Sequence, residues 1–207
     1  MADRVRIAAI VGTYRKGGVI DQAVDEMLAS AQEEGAEVTK IYLVDTQIEF
    51  CTNCRLCTQQ EGAARGICPI ADQMTALLDL IERVDAIVLA SPMNFGTVTA
   101  LMKRFLERLV CYAYWPWGMV APKVRQKPML RRAVLVASSA APAFLARLMT
   151  PMVKLLKQGA GLLGARSVGV LFIGLAAREK SQEPSERIKK KARLLGKKLA
   201  AGKLPAT

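Results

Sequence analysis

Four of the five cysteines in the chain stand in one short stretch. They are Cys51, Cys54, Cys57 and Cys68, and their pattern is C-x2-C-x2-C-x10-C. Thiolates at this spacing can converge on one soft metal centre, because such centres prefer cysteine sulfur as a ligand. The pattern therefore makes electron transfer the first hypothesis about function.

Three interpretations of this cysteine string remain open. A [4Fe–4S] cluster is held by four cysteine thiolates, and C-x2-C-x2-C is a ligand spacing of ferredoxins, as is the Pro69 that follows the last cysteine. A zinc ion held by four thiolates more often uses two separated C-x2-C pairs. Free or redox-active thiols are the third interpretation. Cys111 lies outside the string, and we expect it to be a small buried apolar side chain.

The composition excludes several classes of chemistry. The 207 residues contain no histidine, which excludes Ser-His and Cys-His catalysis and every zinc site that needs imidazole. Chemistry carried by a cofactor remains open. The net charge is +12, of which residues 178–207 contribute +7. This basic end is either a solvated helix or a docking surface for an acidic partner protein or an anionic cofactor. Nucleic acid is an unlikely partner, because no binding motif accompanies the charge.

The sequence also predicts a compartment. Arg4 and Arg6 interrupt the start of the chain, so no signal peptide is expected, and no run of about 20 apolar residues predicts a membrane span. A cytoplasmic protein keeps its thiols reduced, so the cysteines are interpreted as ligands or redox groups rather than as disulfides.

Apolar, β-branched runs alternate with helical patterns along the chain. Strands are predicted over residues 5–11, 38–43, 86–90, 133–137 and 168–173. Helices are predicted over 21–34, after a possible cap at Asp72, after a cap at Thr99, over 144–163 with a kink or break at Pro151, and over 185–201. This alternation is typical of an α/β fold with a parallel sheet covered on both faces. We predict one domain over 1–207, with a cysteine-rich loop insertion at about 45–70.

A ligand of such a sheet lies beyond the carboxyl ends of the strands, where the strand order reverses. That rule selects the loops over residues 12–20, 91–99 and 138–142. The first loop reads Gly-Thr-Tyr-Arg-Lys-Gly-Gly and opens a helix, so its free amides, its hydroxyl and its basic residues favour a phosphate. The alternative is a glycine-rich turn with exposed basic residues.

Three features together resemble the flavodoxin-like NADPH-dependent FMN reductase family, and within it the iron–sulfur flavoprotein branch. The first is the loop that begins Gly12-Thr13-Tyr14-Arg15, and the second is the cysteine string. The third is Ser91-Pro92-Met93-Asn94-Phe95-Gly96, which leads to Lys103 and Phe105. The resemblance covers about residues 5–109.

The resemblance implies a doubly wound five-stranded parallel sheet of order 2-1-3-4-5 and a bound FMN. It also assigns three groups of residues to the cofactor. The FMN phosphate would be held by Thr13, Arg15, Gly17 and Gly18; the ribityl chain and ring would be lined by Pro92, Met93, Asn94, Phe95 and Gly96; and the pyrimidine edge would lie near Ser138 and Ser139. Val19 and Ile20 depart from the Asn and Ser or Thr that the family usually places there.

Two functions are compatible with these features. The first is an FMN-binding oxidoreductase or electron-transfer flavoprotein, with NAD(P)H or a ferredoxin-like protein as donor, a small-molecule or protein acceptor, and a homodimer or homotetramer as its assembly. The second is a module whose cysteine loop senses oxidants or holds zinc on a flavodoxin-like scaffold. Trp115 and Trp117, in the long loop after the third helix, are interpreted as a cover for the flavin, a subunit contact or a surface anchor.

Overall fold

The computed structural model describes residues 4–62, 64–125, 130–202 and 204. The ends of the predicted domain and residues 203 and 205–207 of the basic stretch therefore lie outside the described residues. The strands are β1 (Arg6–Val11), β2 (Glu37–Tyr42), β3 (Ala86–Asn94), β4 (Thr97–Val98), β5 (Ala113–Tyr114), β6 (Lys123–Val124), β7 (Arg131–Ser138) and β8 (Ala165–Ile173). The helices are α1 (Val19–Glu33), α2 (Met74–Arg83), α3 (Ala100–Arg108), α4 (Ala143–Met149), α5 (Met152–Leu162) and α6 (Glu186–Ala200).

The long strands form a parallel sheet of order β2-β1-β3-β7-β8. This confirms the predicted flavodoxin-like order, because these are the five predicted strands in chain order. Side chains alternate across β1: Ala8 and Ile10 join the core under α2, α3 and α5, whereas Ile7, Ala9 and Val11 join the core under α1 and α6. Both faces of the sheet are therefore buried, which is why its strands read as nearly continuous apolar runs.

The end of β3 and the start of α2 differ from the prediction. β3 continues to Asn94 instead of ending at residue 90, because Met93 and Asn94 pair with β4 in a short antiparallel hairpin. The predicted cap Asp72 lies one residue before the N-cap position of α2, although its carboxylate accepts a hydrogen bond from the N–H of Met74 at 3.0 Å. The Thr99 cap is confirmed: its Oγ1 accepts from the N–H of Met102.

The predicted helix over 144–163 is two helices, α4 and α5, separated at Pro151. Proline lacks the N–H that a continuous helix needs, which explains the break. Between β2 and α2, the described residues of the cysteine-rich insertion are irregular apart from the 3-10 turn Leu56–Thr58. No helix among the described residues is long and apolar enough to cross a membrane.

Candidate cofactor and metal sites

The sheet brings the three predicted loops to one edge. The register aligns Val11 of β1 with Ala90 of β3, and the N–H of Gly12 donates to the carbonyl of Ala90 at 2.8 Å. Further along the same edge, Pro92 is the register partner of Ser138. The loops after β1, β3 and β7 therefore leave the same edge of the sheet, and the strand order reverses between β1 and β3.

The first loop contains several hydrogen-bond donors. α1 begins at Val19 with Gly18 as its N-cap, and the amides of Gly18, Val19 and Ile20 donate no hydrogen bond within the described part of the chain. Thr13 is buried, and its Oγ1 accepts from the N–H of Arg15 at 3.2 Å. Free amides at a helix start together with a hydroxyl form an anion site.

Three predicted phosphate ligands have other partners in the structure. The hydroxyl of Thr13 donates to the carbonyl of Arg15 at 3.3 Å. The guanidinium of Arg15 donates to the carbonyl of Lys180 at 3.3 Å. Gly17, at a φ of +72°, donates its N–H to the carboxylate of Asp21 at 2.6 Å. Among the described residues, the donors of this loop that remain without an acceptor therefore include the amides after Gly17.

Asp21, which the sequence did not single out, is buried beneath this loop. Its carboxylate pairs with Lys40 at 2.5 Å and accepts from the hydroxyl of Tyr42 at 3.1 Å. Burial alone would lower the pKa of Lys40, but hydrogen bonds to Asp21 and Asp25 outweigh it and raise that pKa above its ordinary value. Lys40 therefore stays charged and neutralises a carboxylate that would otherwise repel an anion.

Gly12 is fixed against α3. A Cβ at Gly12 would lie 2.8 Å from the Cβ of Met102, so only glycine allows this approach. The hydroxyl of Thr99 donates to the carbonyl of Gly12 at 2.6 Å, and Oγ of Ser91 accepts from the N–H of Thr99 at 3.0 Å. The first and second loops are thus joined by buried hydrogen bonds.

The second loop is a hairpin that projects from the sheet edge. At its tip Phe95 and Gly96 have φ values of 49° and 78°, and the Phe95 side chain is fully exposed. A positive φ is costly for a bulky residue and persists only where its surroundings impose it. Thr150, between α4 and α5, holds the tip by donating to the carbonyl of Gly96 at 2.6 Å. Pro92 and Met93 are half-buried and Asn94 is exposed.

The third loop offers two buried serines, Ser138 and Ser139. The hydroxyl of Ser139 donates to the carbonyl of Ala141 at 2.8 Å, and its backbone bonds Ile173 and Ala176. This loop is therefore tied to the end of β8, which gives the sheet edge a rigid wall.

All four cysteines of the string line one cavity of about 220 Å³. Cys51 and Cys68 are half-buried, Cys54 is exposed and Cys57 is buried. Among the described residues, no three histidine, cysteine, aspartate or glutamate side chains stand close enough to hold a single metal ion. The thiols thus surround a space rather than a point.

Two residues of the cysteine loop have left-handed backbone conformations. Asn53 and Arg55 have φ values of 55° and 60°, and neither is a glycine. Within the described chain, no backbone N–H from Cys51 to Cys57 donates a hydrogen bond. Left-handed residues between right-handed or extended ones turn successive N–H groups inward, which is a recurrent arrangement around phosphates and iron–sulfur clusters.

Arg55 anchors the loop between Cys54 and Cys57. Its guanidinium lies 3.9 Å from the ring centre of Trp115 and 4.2 Å from that of Trp117, and Nη2 donates to the carbonyl of Trp115 at 2.6 Å. Its Nε is buried and has no acceptor among the described residues. The two tryptophans therefore act as a clamp on the cysteine loop. Arg55 and Trp115 also line the cysteine cavity.

A second arginine closes the other side of the cavity. Arg108, the last residue of α3, is buried, pairs with Asp72 at 2.5 Å and lies 3.5 Å from Sγ of Cys68. Burial alone would raise the pKa of Asp72, but hydrogen bonds from Arg108 and from the amides of Glu49 and Met74 outweigh it and lower that pKa. The pair fixes Cys68 relative to α3.

Burial also acts on two thiols. Desolvation, with the neighbouring cysteines, raises the pKa of Cys57 to about 11. Desolvation raises the pKa of Cys111, outside the cavity, to about 12, and its side chain is buried as predicted. Cys111 is an ordinary small core residue.

The similarity of this chain to known proteins is consistent with this geometry. The model of the family described as NADPH-dependent FMN reductase matches residues 5–168. The chain belongs to this family.

The curated relatives of this chain include iron–sulfur flavoproteins. An iron–sulfur flavoprotein of Archaeoglobus fulgidus is 35% identical over 112 residues, which are 54% of this chain and 49% of that protein. The chain thus spans about half the length of the curated relatives it matches.

Two solved structures show the same fold. An FMN-dependent NADH-azoreductase of Bacillus anthracis, in complex with FMN, has a TM-score of 0.69 at 14% identity, with coverage of 95% and 99% of the two chains. A flavodoxin from Archaea has a TM-score of 0.53 at 11% identity, with coverage of 95% and 96%.

The sequence did not single out Asp21 at the first loop, or Arg55 and Arg108 at the cysteine cavity. For Arg108 it nevertheless contained a usable signal. In this chain, Arg108 occupies the apolar stripe of α3 that contains Leu101 and Phe105. A charge on such a stripe indicates a buried ion pair. Nothing comparable in the sequence indicated that Arg55 would meet Trp115, which is 60 positions away.

Proposed function

We propose that this protein is an FMN-binding electron-transfer oxidoreductase whose cysteine loop carries a [4Fe–4S] cluster. The observation that carries the proposal is the cavity of about 220 Å³ that all four cysteines line, on a chain of the FMN reductase family.

The first loop at the sheet edge fits the phosphate of FMN. Three free amides at the start of α1 are suitable donors for a dianion. The Thr13 hydroxyl and the Arg15 guanidinium would join them by exchanging their present acceptors, the carbonyls of Arg15 and Lys180, for the phosphate. Asp21 is neutralised by Lys40, so it does not oppose that charge. Gly18 allows the loop to pass close to Arg15, since an added Cβ there would lie 3.3 Å from the Arg15 carbonyl.

The hairpin and the third loop fit the rest of the cofactor. Phe95 offers an exposed aromatic face, and the backbone after Pro92 offers polar groups for the ring and the ribityl chain. Ser138 is the register partner of Pro92 and Ser139 follows it, where the pyrimidine edge would lie. When bound, FMN couples two-electron to one-electron transfer; the chain orients it.

The cysteine cavity fits a cluster better than a single zinc ion. Zinc draws four sulfurs to about 2.3 Å from one point, whereas a cluster holds them at the corners of a larger body. The backbone of the cysteine loop presents unbonded amides, and the orphaned Nε of Arg55 supplies a buried donor at the same cavity. Nη2 of Arg108, which lies 3.5 Å from Sγ of Cys68, can donate to that ligand.

The two sites lie at opposite ends of α3. Thr99, at its start, bonds the phosphate loop, and Arg108, at its end, lines the cysteine cavity. A helix of nine residues is about 13 Å long, so removing one site should leave the other intact.

A homodimer or homotetramer is supported by exposed apolar side chains near the same edge of the sheet. Phe144, Leu148 and Met149 of α4 and Phe95 of the hairpin are 72–108% exposed. Such a patch marks an interaction surface. NAD(P)H is proposed as the electron donor from the family description alone.

Anaerobic reconstitution with FMN, iron and sulfide tests the proposal. We expect flavin absorbance, about four irons per chain and an EPR signal after reduction. Cys54→Ala should lose the cluster and keep FMN, whereas Cys111→Ala, outside the cavity, should keep both. Zinc without iron or flavin in the purified protein would support the sensing or zinc-binding module instead.

A further inference from the structure

The cations of α6 fall into two sets. Lys189, Arg193 and Lys197 follow one another at four-residue spacing, and each pairs with a glutamate, at 3.3, 2.8 and 2.8 Å respectively. Those glutamates belong to α1, to its C-cap and to the first turn of α6. The charges of this face are therefore neutralised within the molecule.

The second set is not neutralised. Arg187, Lys190, Lys191 and Lys198 lie at i, i+3, i+4 and i+11, which is one face of a helix. Within the described residues none of them makes an ion pair or a side-chain hydrogen bond. At i+7, in the middle of this stripe, Leu194 is 55% exposed. The stripe thus combines unpaired positive charge with an exposed aliphatic side chain.

All of this stripe except Lys198 forms one wall of a groove of about 660 Å³ between α4 and α6. Arg147 of α4 adds a cation from the opposite wall, and it too is unpaired among the described residues. The less exposed lining residues are apolar: Phe172, Leu175 and Ile188. Leu175 has a φ of 57°, a strained conformation for leucine that the surrounding hydrogen bonds hold.

We propose that this basic groove, lined by Arg147, Arg187, Lys190, Lys191 and Leu194, docks an acidic amphipathic segment of another protein. The apolar residues of the segment would contact the floor, and its carboxylates would pair with the cations of the two walls. This is the helix-in-groove mode of recognition, with electrostatic complementarity at the rim. The inference goes beyond the proposed redox function, because it requires neither FMN nor a cluster.

Other occupants fit the groove less well. A nucleic acid would place its phosphates over an apolar floor, which carries no positive charge to bind them. A bilayer cannot reach an apolar floor that is recessed between two helices. A second copy docked symmetrically through the same face would bring unpaired cations against unpaired cations.

The test uses the full chain with any bound flavin retained, and a labelled helical peptide of Leu, Ala and Glu with leucines at i, i+3, i+4 and i+7. Fluorescence anisotropy should show binding of this peptide and not of a version with Lys in place of Glu. The triple variant Arg187→Gln, Lys190→Gln and Lys191→Gln should weaken binding at least about tenfold. Leu194→Ser should weaken it about threefold or more with all charges retained.

The matched control is Lys189→Gln, Arg193→Gln and Lys197→Gln, which removes the same charge from the paired face of the same helix. We expect it to change binding by less than about twofold, since exposed ion pairs contribute little to stability.

Four results would overturn the proposal. They are no binding by the parent protein, equal weakening in both triple variants, tighter binding of a single-stranded oligonucleotide or of phosphatidylglycerol vesicles through the same residues, and a changed oligomeric state of the groove variant in sedimentation velocity.

Discussion

Replacing Arg55 tests whether the tryptophan clamp holds the cysteine loop closed. Arg55→Ala removes a guanidinium that is stacked between Trp115 and Trp117 and bonded to the carbonyls of Trp115 and Pro116. Without it, we expect residues 51–57 to open far more often in the metal-free protein. Cys57 reports this opening, because it is 7% exposed in the closed loop.

The magnitude follows from the contacts of Arg55. The contact with half-buried Trp115 should contribute about 1–2 kcal/mol, and that with Trp117, which is 67% exposed, about 0.5–1 kcal/mol. The charged hydrogen bonds to the two carbonyls add about 1.5–3 kcal/mol, although contributions of one side chain are not additive. A total of about 3 kcal/mol corresponds to a roughly 100-fold increase in the open population.

Iodoacetamide labelling of Cys57, followed by mass spectrometry of its peptide, measures that population. The labelling rate in Arg55→Ala should rise roughly 100-fold. Arg55→Lys should fall between the parent and Arg55→Ala, because lysine keeps the charge but loses the planar fork. Arg104→Ala is the control: Arg104 stacks on Phe50 at 5.5 Å but is not part of the clamp.

An unchanged Cys57 labelling rate in Arg55→Ala would refute the clamp. An equal increase in Arg104→Ala would show that the loop is held by its general surroundings rather than by the two tryptophans. Both results are interpretable whether or not the protein binds a cluster, since the assay uses the metal-free chain.

Three further predictions concern the first loop and the pair beside the cysteines. Arg15→Ala should weaken FMN binding by about 1.5–3 kcal/mol in fluorescence titrations and leave riboflavin binding unchanged; equal loss for both ligands would contradict a phosphate contact. Asp72→Asn should destabilise the protein by about 3–5 kcal/mol in urea unfolding at pH 7, because Arg108 is left buried without its partner. Since the pKa of Asp72 is lowered on folding, that part of parent stability is present above the ordinary pKa of about 4 and is lost as the pH falls through the folded value, so the two curves should converge in acid. Gly12→Ala should lower the urea midpoint by an amount equivalent to about 1–3 kcal/mol, because its Cβ would meet Met102, whereas Gly35→Ala meets no atom and should show only the strain of its φ of +87°.

Much of the fold could be predicted because it depends on short-range patterns. Apolar runs of five to seven residues that alternate with helical stripes are sufficient for a parallel sheet with both faces covered, and the observed order confirmed it. Pro151 and Thr99 act through their own backbone geometry, so their effects were visible locally. The hairpin at Phe95 was missed, because its antiparallel pairing depends on how the chain turns after β3.

The sequence by itself determined the cysteine string, the glycine-rich loop and the alternation of strands and helices, since each depends on spacing along the chain. The order of the strands was implied by the resemblance to the FMN reductase family. Only the tertiary structure decided what surrounds them. Arg55 meets Trp115 across 60 positions, Arg108 meets Asp72 across 36 and Lys40 meets Asp21 across 19. These contacts depend on the path of the folded chain, and a buried charge chooses its partner by proximity rather than by sequence distance.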